Sequence, residues 1–207
     1  MKILNAFISK WEGVQIDNDG GYTSNQYKEF LRALTTLKRS LNMGTRSRIG
    51  IERMDGTIES IYCHWDGYWN WNGKILYESY QDLNKINELI ALGNISSLRE
   101  KVVPDSISHT FEQPQDDVVI AYMRDRDETG QEARKDLSLD NLIKDCGRSW
   151  EEFLYIYREK DGQWFAGEID ISFVNDLEVY TVSLKPLVEE LVIREIIPYV
   201  SLDNERH

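Results

Sequence analysis

Apolar positions along the chain switch between helical and strand periods, and the switches mark the elements. From Asn25 to about Leu41, Tyr27, Phe30, Leu31, Leu34, Leu37 and Leu41 recur at helical spacing and give one apolar face. A loop, Asp17-Asn18-Asp19-Gly20-Gly21, precedes it, with Thr23 or Ser24 as the N-cap. After Met43-Gly44 the period becomes two: Ile49 and Ile51 alternate, Asp55-Gly56 supplies a turn, and Ile58 to Cys63 returns as the second arm of a hairpin. Gly73 to Tyr80 reads as a helix with Ile75, Leu76 and Tyr80 inward. A second helix follows with Leu83, Ile86, Leu89 and Ile90 on its buried side, stopped near Gly93.

Beyond Pro104 the pattern turns to strands. Val118 to Met123 is a short apolar run, and Phe153–Tyr157 with Gln163–Ala166 flank the turn Lys160-Asp161-Gly162. Between them, Arg124 to Lys135 reads as a charged loop and Leu137 to Asp145 as a short helix. Val179 to Leu184 reads as a last strand, and Pro186 opens a closing helix that carries Leu187, Val188, Leu191 and Val192. Hairpins mixed with helices predict an α+β fold, an antiparallel sheet with packed helices, and an N-terminal helical extension. The division expected is an extension over residues 1–42 and a single domain over residues 43–207.

A hydrophobic content of 41% is enough to bury a core, so wholesale disorder is not expected. No apolar run reaches the roughly 18 residues of a membrane span, and Lys10 and Glu12 interrupt the N-terminal apolar stretch before it could serve as a signal. Cys63 and Cys146 lie far apart and form no paired motif, so neither a metal nor a redox framework is signalled. Together these features predict a cytoplasmic protein without cofactor. Charge is uneven: residues 1–50 hold eight Lys and Arg against four Asp and Glu, whereas the remainder carries the whole acidic excess of a chain with net charge −12. Such a body is unsuited to duplex nucleic acid and suits a basic partner protein or plain solubility.

Candidate chemistry concentrates at Tyr62-Cys63-His64-Trp65-Asp66-Gly67-Tyr68-Trp69-Asn70-Trp71. Tyr, Trp and His each present an apolar body and one polar tip, as a ligand wall requires. On a strand Cys63 and His64 face opposite ways, which opposes a nucleophile–base pair. His64 and Asp66 share a face, so Asp66 serves either as a partner of His64 or as the holder of the Gly67 turn. Arg46 and Arg48 are two apart, as are Arg124 and Arg126. If both pairs lie on neighbouring strands, their guanidinium forks converge beside Trp65 and Tyr68 on an anionic group. The expected ligand-binding set is therefore Arg46, Arg48, His64, Trp65, Asp66, Tyr68, Arg124 and Arg126, with no catalytic and no metal-binding residue assigned.

The blocks Thr45-Arg46-Ser47-Arg48-Ile49-Gly50-Ile51-Glu52, Asp55-Gly56-Thr57, Ile61 to Tyr68 and Gly73-Lys74-Ile75-Leu76 occur in order. Leu89 to Leu98 and Ala121 to Arg126 follow them. The series resembles a family of small bacteriophage and prophage proteins, over about residues 43 to 167. Met43 matches the start of that pattern, so residues 1–42 depart from it, as does Trp69-Asn70-Trp71-Asn72, where a proline-containing turn is usual. The resemblance implies a viral origin and brings no activity, cofactor or catalytic residue. The function expected is a phage accessory protein that acts by binding, sequestering a host or defence-system protein or a small anionic signalling ligand, with self-association open. The alternatives are a small hydrolase built on His64 and Asp66, or an acidic DNA mimic that blocks a nuclease.

Overall fold

In the computed structural model, which describes residues 44–105, 108–174 and 177–198, the sheet is organised around β1 (Ser47–Glu52). β1 pairs antiparallel with β2 (Ile58–Cys63) in a register that sets Ser47 opposite Cys63 and Arg48 opposite Tyr62. The turn between them is held by Asp55, whose Oδ1 accepts the Thr57 backbone N–H at 2.9 Å, while Gly56 takes φ +83°. Asp-Gly is favoured there because glycine enters the left-handed region without a Cβ clash.

The other edge of β1 is closed by β6 (Phe153–Arg158), and this pairing is parallel, with Ser47 opposite Phe153. A second parallel contact joins β2 to β3 (Ile95–Ser97). The fold is α+β as expected, but the sheet is mixed where an antiparallel one was read. The reason lies in burial. β1 and β6 are buried along nearly their whole length, as strands covered on both faces are, and such strands can accept a parallel neighbour from far along the chain. The strand order is β4 (Ile120–Ala121), β3, β2, β1, β6, β7 (Gln163–Val174), β8 (Leu177–Val182). β5 (Arg134–Asp136) pairs with β2, and β9 (Lys185–Pro186) with β7.

One face of the sheet carries Ile49, Ile51, Ile61 and Cys63 beneath α1 (Lys74–Ser79), α2 (Leu83–Ala91) and the closing helix α5 (Leu187–Ile193). A π-helical turn, Trp69–Gly73, leads directly into α1. Asp82 caps α2 by accepting the Lys85 N–H at 3.0 Å, a bond worth about 1 kcal/mol. The opposite face holds a smaller cluster, Ile58, Leu154, Ile156 and Ile169 under Leu142, Ile143 and Cys146 of α4 (Leu139–Arg148). α4 begins later than its apolar pattern because Ser138 caps it, leaving Leu137 in solvent.

The run Val118 to Met123 forms only a two-residue strand, β4. Asp125 Oδ2 accepts the Ala121 N–H at 2.7 Å and turns the chain into α3 (Tyr122–Arg126). The charged segment read as a loop therefore starts as a helix and ends as β5. The described residues fall into two units, the main one over residues 45–171 and 180–198. The small one has Gly44, residues 172–174 and residues 177–179, where Ser172 Oγ donates to the Val179 carbonyl at 3.4 Å. The helix expected over Asn25–Leu41 lies outside the described residues. No described helix is long and apolar enough to cross a membrane.

Candidate functional site

The end of β2 and the start of β1 present their even-numbered residues on the α4 side of the sheet. Arg48 stands directly opposite Tyr62, and the same register carried one step further sets Arg46 at the level of His64. The backbone of Arg46 is pinned from the other edge, its carbonyl accepting the Glu152 N–H at 2.9 Å. Tyr62 and His64, two apart on one face, are joined by a 2.7 Å contact between the phenol oxygen and Nδ1. Burial and the nearby Arg46 and Arg126 hold the imidazole below its ordinary pKa. Burial likewise pushes the Tyr62 phenol up to about 12, so it keeps its proton. The phenol has no other acceptor among the described residues; with its proton given to Nδ1, His64 is a neutral Nε2–H donor.

Arg46 is unlike every other described arginine: among the described residues its side chain has neither a hydrogen bond nor an ion pair. Its Nε is buried without a partner. Among the described residues, the other buried unpartnered side-chain atoms belong to Ser60, Asn72, Asp136 and Arg158. Of these the charged ones have company, since Asp136 binds Arg134 and Arg158 lies 3.0 Å from Glu52. A buried, unmet donor costs about 1–3 kcal/mol, so its persistence points to a role outside folding. Arg126 approaches from the end of α3. Its guanidinium lies 4.4 Å from the Phe111 ring centre and 5.2 Å from that of Tyr122. Nε is paired with Glu128 at 2.8 Å, and no described residue takes its terminal nitrogens.

The structure therefore brings Arg46, His64 and Arg126 together, with Trp65 beside them. The Trp65 indole meets the His64 ring nearly at right angles, 4.6 Å between centres, and is 43% exposed. Other expected members are placed elsewhere. Arg48 faces the right way but is consumed by a buried ion pair with Glu151, Nε to Oε2 at 2.8 Å. Arg124 is locked inward, donating to the Val102 carbonyl at 2.6 Å and to Asp125 Oδ1 at 2.6 Å. The physical reason is the helix: residues two apart share a strand face but diverge on a helix, so Arg124 and Arg126 part.

Asp66 sits at φ +58° and accepts from the Tyr68 hydroxyl at 3.1 Å. Asp66 and Tyr68 thus hold the turn, and no hydrogen bond joins Asp66 to His64. Without a carboxylate behind His64 and with Nδ1 taken by Tyr62, a hydrolytic dyad is not assembled. Cys63 and Cys146 are buried free thiols. Burial raises the Cys63 pKa to about 11 despite the Asn72 amide 3.3 Å from Sγ, and raises that of Cys146 as well, so neither is a ready thiolate. No group of three metal-ligating side chains occurs among the described residues.

Tyr62, Tyr122 and Phe111 were not expected in the site. Tyr62 had a readable signal, its period-two spacing from His64. Tyr122 meets Arg126 because the chain enters a helix there, and Phe111 is held beside that helix by its N–H bond to the Asp125 carbonyl at 3.2 Å. No family model, curated protein or solved structure matches this chain.

Proposed function

We propose that this protein acts by binding a small anion at Arg46, His64 and Arg126, without transforming it. The observation that carries this reading is the unpartnered Arg46 guanidinium, set beside two further donors. Arg46, the terminal nitrogens of Arg126 and the His64 N–H are donors that recognise negative charge, and the carboxylate beside them, Glu128, is engaged by Arg126 Nε. The surrounding chain is strongly acidic, with net charge −12. That acidity repels polyanions at long range and leaves a compact anion as the better guest. The DNA-mimic alternative is weakened by charge pairing, because Glu59, Glu159, Asp136 and Asp145 are all engaged by arginines.

In a phage setting, which the sequence resemblance supports, such a protein withdraws a host signalling anion in the bacterial cytoplasm and so counters a defence response. Calorimetric titration with inorganic phosphate tests the binding reading. The parent should bind it saturably and Arg46→Lys should lose most of that affinity, since lysine keeps the charge but not the fork. Equal affinity in parent and variant, or none in either, contradicts the reading.

A further inference from the structure

We infer that the anion is the phosphate of a ring-bearing phosphate ester, a nucleoside monophosphate in chemical class, with its ring laid on Trp65. The inference rests on the anion-binding reading and adds the other half of the ligand.

Trp65 is exposed in its side chain yet fixed in its main chain. Its N–H donates to the Ser96 carbonyl at 3.0 Å, and its own carbonyl accepts from Cys63 Sγ at 3.4 Å and from the Asn72 amide at 3.5 Å. The next residue, Asp66, is held by its positive φ and by Tyr68. A large ring left open on a pinned backbone is a preorganised platform, which spares the ordering entropy that a mobile surface tryptophan would lose on binding. The near-perpendicular contact with His64 places that platform against the imidazole which donates Nε2–H. Ring and donor thus act on adjacent parts of one ligand.

Donor number sets the anion class. A carboxylate offers two oxygens in one plane and is satisfied by a single guanidinium fork. Arg46, the terminal nitrogens of Arg126 and the His64 N–H together supply more donors than a planar carboxylate takes up, matched by a tetrahedral phosphoryl group with three outer oxygens. Stacking on Trp65 is tolerant of which base is present, because every base has a π-face. A polymer of such units is opposed by the acidic chain, so the single nucleotide is the fitting length.

The test compares adenosine 5′-monophosphate, ribose 5-phosphate and adenosine by calorimetry on the full chain. The nucleotide should bind about tenfold tighter than ribose 5-phosphate, the factor expected from one stacked base. Trp65→Ala should erase that ratio and leave ribose 5-phosphate affinity nearly unchanged. Equal affinity of the two phosphates in the parent overturns the inference while leaving the anion site standing. Adenosine binding as tightly as its monophosphate overturns it as well, and so does a ratio that survives Trp65→Ala. Failure of both phosphates to bind overturns the inference together with the reading beneath it.

Discussion

Tyr62 and His64 share a 2.7 Å hydrogen bond along one face of β2, and that bond occupies Nδ1 of His64. With the phenol proton directed to Nδ1, the remaining nitrogen is a donor, and His64 offers no general base there. Nitrogen-15 spectra of the imidazole should show the Nε2–H tautomer in the parent, with Tyr62→Phe releasing the ring into a mixture. A parent spectrum with Nδ1 protonated and Nε2 bare would restore a base and favour the hydrolase alternative.

Two neighbouring arginines on one strand face should respond oppositely to truncation. Arg48→Ala strands Glu151, whose side chain is fully buried, and should destabilise the fold by roughly 3–5 kcal/mol, as for breaking a buried pair. Arg46→Ala removes no partner and relieves a buried unmet donor, so it should leave stability unchanged or raise it by up to about 1–3 kcal/mol. Urea melts of both variants separate them. A large loss at Arg46 would mean that its guanidinium is part of the fold.

Acidification tests His64 with a defined sign. The folded-state pKa lies below the ordinary 6.5, so the unfolded chain takes up the proton first. The stability His64 contributes is fully present above about pH 6.5 and is lost as pH falls through the folded value. Subtracting the melting curve of His64→Asn from the parent's at each pH isolates this share. The difference should decline towards acid; a flat or rising difference contradicts the assignment. Sulfate keeps its double charge over this range, so its affinity for the parent should rise severalfold as His64 protonates.

Gly93 ends α2 at φ +71°, and a Cβ there would lie 2.1 Å from the Gln131 carbonyl oxygen. Gly93→Ala therefore combines strained backbone with a clash against main chain. It should lower stability by more than about 1 kcal/mol in a denaturant melt. A neutral effect would show that the segment around Gln131 moves aside at little cost.

Local signals in the sequence were readable because each is complete within a few residues. Asp55-Gly56 makes its turn, Gly93 stops α2, and Pro186 opens α5, all where the pattern placed them. The parallel pairing of β1 with β6 was hidden, since nothing in Ser47–Glu52 names a partner about a hundred residues away. At Val118 to Met123 the apolar run pointed to a strand, and the signal that overrode it was a single carboxylate, Asp125, capping from four residues ahead. Reading that segment as a helix separates Arg126 from Arg124, which the period of two had joined. The pairing of Arg48 was hidden for a similar reason, because Glu151 reaches it from beyond α4.

The most direct test follows the arginine side chains themselves. A nitrogen-15 titration of the full chain with inorganic phosphate reads each Nε–H separately. Arg46 should shift saturably together with His64 Nε2, while Arg53 and Arg134, held by Glu59 and by Asp136, stay in place. Shifts spread evenly over all arginines, or no saturable shift at Arg46, would contradict an anion site at this end of the sheet.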